Sequence, residues 1–100
     1  MLIHIVCWKY KSGTDDATRE GHREKLRALV GVIPEIVGFD VGPDILHLGR
    51  SFDTGLVAYF PNRAALDHYT DHPQHQEVAS MGKQIAEKVV SVDFYQAESE

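Results

Sequence analysis

Four segments of alternating side chains, interrupted by two helical stripes, leave this 100-residue chain few possible folds. Leu2 to Tyr10 reads as a strand, with His4, Val6, Trp8 and Tyr10 on one face and Ile3, Ile5, Cys7 and Lys9 on the other. Both faces are largely apolar, so the strand should be covered on both sides. Ser12-Gly13 is a turn, and Thr14 is placed to cap a helix whose first turn holds Asp15 and Asp16. That helix runs to about Val32 on a stripe of Leu26, Leu29, Val30 and Ile33, which extends back to His22; Pro34 ends it. Ile36 to Val41 and Phe52 to Phe60 are the second and third strands, parted by Gly42-Pro43-Asp44. Pro61-Asn62 opens a second helix, which Pro73 forces to end near Asp71, and a further helical segment spans about Gln76 to Ala86. Val89 to Tyr95 is the last strand, and the polar tail Gln96 to Glu100 is expected to fray.

The order strand, helix, strand, strand, helix, strand is the split βαβ arrangement. It predicts an α+β, ferredoxin-like βαββαβ protomer over residues 1–100, with a four-stranded antiparallel sheet and its helices on one face. The other face carries Ile3, Ile5, Val57, Val90, Val92 and Phe94 with no helix left to cover it. Burying each large apolar side chain is worth about 1.5–3 kcal/mol, so an uncovered patch of this kind marks an interface. A second copy, sheet against sheet, is the simplest partner, and it makes the assembly a dimeric α/β barrel.

Charge and cysteine content narrow the function. A net charge of −5 is wrong for a nucleic-acid binder, which needs a basic face, and for docking on an anionic membrane. No apolar run approaches the roughly 20 residues of a membrane span. The N-terminal segment lacks the basic region and cleavage site of a signal peptide. Cys7 is alone, so no intrachain disulfide can form, and a reducing cytoplasm is the expected compartment. Its apolar surroundings read as those of a small buried hydrophobe.

The segment Leu66 to His75, LDHYTDHPQH, carries the most chemistry, with three of the six histidines and a tyrosine. The Pro73 bend aims His75 toward a cavity. Tyr69 and His75 can act as a pair, His75 taking a proton from a carbon beside a carbonyl and Tyr69 donating to the oxyanion. The plainer reading has His75 bonding a backbone carbonyl while Tyr69 packs in the core. First and last strands are neighbours in this fold, so Asp93 can reach His4 and fix its tautomer; a purely structural strand tie is equally consistent. Val6, Trp8, Leu26, Leu56, Leu66, Val78 and Val89 offer apolar walls with polar groups at one end, the usual make-up of a small-molecule site. His4, His22 and His75 could together hold a transition metal, but their spacing is unlike a compact motif, and no metal is assigned. His68 and His72 read as solvated residues at a helix end. The alternating charges from Arg19 to Arg27 read as a solvated face. No phosphate loop, nucleophile elbow or cofactor fingerprint is present, so no cofactor is expected.

The sequence resembles the stress-responsive dimeric α/β-barrel (Dabb) family. IHIVCWKYKSGTDD is similar to that family's first strand and acidic helix start. RALVGVIPEIVGFDVGPD is similar to its helix end and second strand, with the Phe-x-Val-Gly core at Phe39 to Gly42. RSFDTGLVAYFPNRAALDHYTDHPQH resembles its third strand, Ala-Leu-x-x-Tyr helix and His-Pro-x-His signature, and VVSVDFY its last strand. The resemblance implies a ferredoxin-like homodimer and little about activity. Within the family, plant polyketide cyclases of the olivetolic acid cyclase type close a linear polyketide by aldol condensation. Their reactive tyrosine and histidine match Tyr69 and His75, their first-strand histidine His4, and their last-strand aspartate Asp93. Their aromatic pocket residues correspond here to His22 and Leu26, and a tryptophan to Ala86, so the substrate does not carry over. Three function classes follow: a cofactor-free acid–base enzyme acting on a hydrophobic carbonyl compound, a binding protein using the same cavity without turnover, and a stress-linked structural protein.

Overall fold

In the computed structural model, which describes residues 1–97, the chain forms β1 (Leu2–Tyr10), α1 (Asp16–Ala28), β2 (Gly38–Pro43), β3 (Thr54–Phe60), α2 (Arg63–Asp71), α3 (Pro73–Ile85) and β4 (Ala86–Tyr95). The antiparallel sheet has the order β2-β3-β1-β4. This is the ferredoxin-like arrangement expected from the order of periodicities. The expected fraying tail, 96–100, lies mostly outside the described residues.

Several boundaries differ from the sequence expectation, each for a local reason. Asp15, rather than Thr14, caps α1 by accepting from the Thr18 amide at 2.8 Å, while the Thr14 hydroxyl donates to the Lys11 carbonyl at 2.7 Å. The helix ends at Ala28 and tightens into a 3-10 turn over Leu29–Gly31 before Pro34 is reached. Helix α3 begins at Pro73 rather than near Gln76, because a proline at the first helical position gives up an amide that would have no partner anyway. His72 alone separates α2 from α3. Its ring nitrogen accepts from the Gln74 amide, so His72 is a cap rather than a solvated end residue. His68 pairs with Glu35 at 3.2 Å.

The core lies between the sheet and the helices. Phe60 and Ala58 from β3, Tyr10 and Trp8 from β1, Leu26 from α1 and Leu66 and Tyr69 from α2 are buried there. On the opposite face the strand register lines up Phe94 with Ile3, Val92 with Ile5 and Val57, and Val90 with Cys7. Val90, Val92 and Phe94 are 40%, 52% and 43% exposed, as an apolar surface without a helix layer must be. Burial among these neighbours pushes the Cys7 thiol up, which keeps it protonated.

Candidate active-site cleft

Strand alternation puts His4, Val6 and Trp8 on the helix side of β1. The β1–β4 register sets Asp93 opposite His4, Ser91 opposite Val6 and Val89 opposite Trp8. Two adjoining helices then close over this floor. Tyr69 enters from the last turn of α2 and His75 from the first turn of α3, across the bend that His72 and Pro73 impose. The result is a cleft of about 210 Å³ lined by His4, Val6, Trp8, Leu26, Leu56, Tyr69, Thr70, His75, Ala79, Lys83, Val89 and Ser91.

The chemistry gathers at one end. The Tyr69 and His75 rings lie 4.3 Å apart between centroids at 48°, and the His4 ring meets Tyr69 edge-on at 5.9 Å. Phe60 backs Tyr69 at 5.0 Å and holds the phenol in place. Nδ1 of His4 is hydrogen-bonded to the Asp93 carboxylate. A carboxylate only accepts, so that nitrogen carries the hydrogen, and in the neutral ring Nε2 is the nitrogen with the lone pair. The same logic fixes His75, whose Nδ1–H donates to the Thr70 carbonyl at 3.1 Å, leaving Nε2 as the basic nitrogen. Burial pulls the His75 pKa below its ordinary value, with His4 and His72 adding to the effect against the Thr70 hydrogen bond. Burial pushes the Tyr69 pKa up, so the phenol keeps its proton. The arrangement joins a neutral imidazole that can accept a proton to a phenol that can only donate one.

Not every sequence candidate reaches this cleft. His22 is fully buried and turned away from it. Its Nδ1 lies 2.8 Å from the Tyr10 hydroxyl, and its ring packs edge-on against Trp8 at 5.0 Å. Burial, with the Arg23 charge added, pushes its pKa down to about 4. His22 is therefore a core group, and it does not join His4 and His75 as a third imidazole; among the described residues no cluster of three or more histidine, cysteine, aspartate or glutamate side chains is arranged for an ion. Leu66 packs in the core one turn before the cleft-lining Thr70, and Val78 lines a separate groove between α1 and α3. Asp93 does not itself line the cleft but reaches it through His4. Arg23 also departs from the solvated-face reading. It is 8% exposed and donates to Thr54 Oγ1 at 3.0 Å, within the Tyr10–His22 cluster.

Thr70, Ala79, Lys83 and Ser91 line the cleft without having been singled out in the sequence. Their signals were present: Ala79 and Lys83 follow His75 at four-residue steps, one helix face, and Ser91 shares the His4 and Asp93 side of the sheet.

A family model described as the stress responsive A/B barrel domain matches residues 2–96. No curated protein matches the sequence. Among solved structures, a dimeric ferredoxin-like protein of unknown function from Thermobifida fusca is 22% identical with a TM-score of 0.87, covering 95% of this chain and 90% of its own. A protein of Arabidopsis thaliana is 22% identical at a TM-score of 0.86, over 100% and 99% of the two chains. A hydroxynitrile lyase from Passiflora edulis is 20% identical at a TM-score of 0.88, over 99% and 95%.

Proposed function

The chain belongs to the stress responsive A/B barrel domain family, and on that premise we propose that it is a cofactor-free acid–base enzyme acting on a hydrophobic carbonyl compound. The observation that carries this reading is the Tyr69–His75 contact at the end of an apolar cleft. His75 Nε2 takes a proton from the carbon beside the carbonyl, and the electron pair left behind moves onto the carbonyl oxygen as an enolate. Tyr69 donates its hydroxyl hydrogen to that oxygen. His4, held by Asp93, packs edge-on beside Tyr69 and helps to position the phenol. Val6, Trp8, Leu26, Leu56 and Val89 supply the apolar walls that would hold the hydrophobic part of the compound.

The working form in this proposal is a homodimer through the face of Ile3, Ile5, Val57, Val90, Val92 and Phe94. The description of the Thermobifida fusca structure as dimeric supports it, as does the exposure of that face. No helix is long and apolar enough to cross a membrane among the described residues. We assign the cytoplasm from the single cysteine.

The test is a screen of enolisable ketones and linear polyketide-like compounds against wild type, Tyr69→Phe and His75→Ala. Deuterium exchange beside the carbonyl reports proton abstraction directly. Exchange that falls in both variants supports the reading. Exchange equal in all three proteins removes it. Heat protection by the same compounds without exchange in wild type leaves a binding protein.

A further inference from the structure

We propose that the cleft selects carbonyl compounds that also carry a carboxylate, and that Lys83 is the residue that selects them. The inference rests on the carbonyl chemistry proposed above and names its substrate class. His75, Ala79 and Lys83 stand at four-residue intervals on α3, and all three line the cleft. Eight residues of helix rise about 12 Å, so the imidazole and the ammonium group are attached at opposite ends of the cleft wall. One ligand of moderate length can touch both, with its carbonyl at His75 and Tyr69 and its far end at Lys83.

The charge at that far end follows from what surrounds it. Lys83 is exposed at the cleft rim and, like the other four lysines, forms no ion pair among the described residues, so it is free to meet a ligand. No aspartate or glutamate lines the cleft, whose other polar residues are His4, Trp8, Tyr69, Thr70, His75 and Ser91. A cation beside apolar walls with no carboxylate of its own favours an anion in the ligand. A single negative charge fits best. Lys83 sits in the last turn of α3, where the helix carbonyls add negative potential and oppose a dianion. No arginine fork lines the cleft for a phosphate.

Titration calorimetry on levulinate and its longer oxo-acid homologues, against the methyl esters of the same acids, tests this. The esters keep length and carbonyl and lose only the charge. Wild type should bind the best acid about tenfold more tightly than its ester, the value of one charge-assisted hydrogen bond, and added salt should erode that preference. Lys83→Met, which keeps an apolar stem, should bind acid and ester alike, and Lys83→Arg should keep the preference. Equal binding of acid and ester by wild type, or a preference that survives in Lys83→Met, overturns the selection by Lys83 and leaves the carbonyl reading standing. Failure of acids and esters alike to bind wild type overturns the carboxylate selection, while the exchange screen alone decides the carbonyl reading. Inorganic phosphate displacing the acid at comparable concentration would show that the site takes anions generally, and would overturn the carboxylate assignment.

Discussion

The Nδ1–H of His75 is held by the Thr70 carbonyl at 3.1 Å, one helix back across the Pro73 bend. That bond was the plainer alternative to a catalytic histidine, and it serves the catalytic reading equally well. It fixes the tautomer, so Nε2 carries the lone pair.

Proton abstraction should follow the ionisation of His75. Its pKa lies below the usual 6.5, mainly through burial, so the neutral base predominates at neutral pH. The rate of exchange beside the carbonyl should rise as pH climbs through a value under 6.5 and then stay level. It should fall again only in the alkaline range above 10, where Tyr69 loses its proton. A pH–rate profile that falls as pH climbs from 5 to 8 would be inconsistent with His75 as base.

His22 makes folding stability depend on pH in a different window. Its folded pKa is about 4 against 6.5 unfolded, so between these values the unfolded chain binds the extra proton. Stability from this group is intact above pH 6.5 and drains away as pH falls toward 4, by at most about 3 kcal/mol. Urea unfolding at pH 7 and pH 4.5 measures the loss. His22→Leu should flatten the slope in that window even though it lowers stability at pH 7, because the titrating group is gone.

Val92→Asp should break the proposed dimer. Val92 sits in the middle rung of the exposed sheet face, between Ile5 and the flanking Val90 and Phe94. A carboxylate there would be desolvated without a partner, at a cost of several kcal/mol. Sedimentation at micromolar concentration should show a dimer for wild type and a monomer for the variant. A stable dimeric Val92→Asp protein would place the interface elsewhere.

Two glycines in helices should respond differently to alanine. A Cβ on Gly82 would lie 3.0 Å from His22 Nε2 and 3.1 Å from Trp8 Nε1, and both rings are buried. Crowding of about 1–3 kcal/mol should outweigh or cancel the roughly 1 kcal/mol helix gain, leaving Gly82→Ala less stable or neutral. On Gly21 a Cβ meets nothing within 4 Å, so Gly21→Ala should stabilise α1 by up to about 1 kcal/mol. Paired denaturation curves decide both.

Sequence by itself determined the order of elements, the two faces of β1 and the shared sheet side of His4 and Asp93. A strand's period of two assigns each residue to a face without reference to any other element, and neighbouring first and last strands follow from the topology. It also determined the bend at Pro73, because a missing amide acts locally. Only the tertiary structure decided which helical side chains meet that floor. His22 and Leu26 share one α1 stripe, yet Leu26 lines the cleft and His22 is drawn into the cluster of Tyr10, Thr54 and Arg23. Val78 and Ala79 are adjacent in α3, and the turn of the helix sends one to an outer groove and the other into the cleft. A helical stripe spans about 100° or more, wide enough to face two environments. Which part faces which depends on how each helix is rotated against the sheet, and the packing of large side chains such as Trp8, Phe60 and Tyr69 sets that rotation.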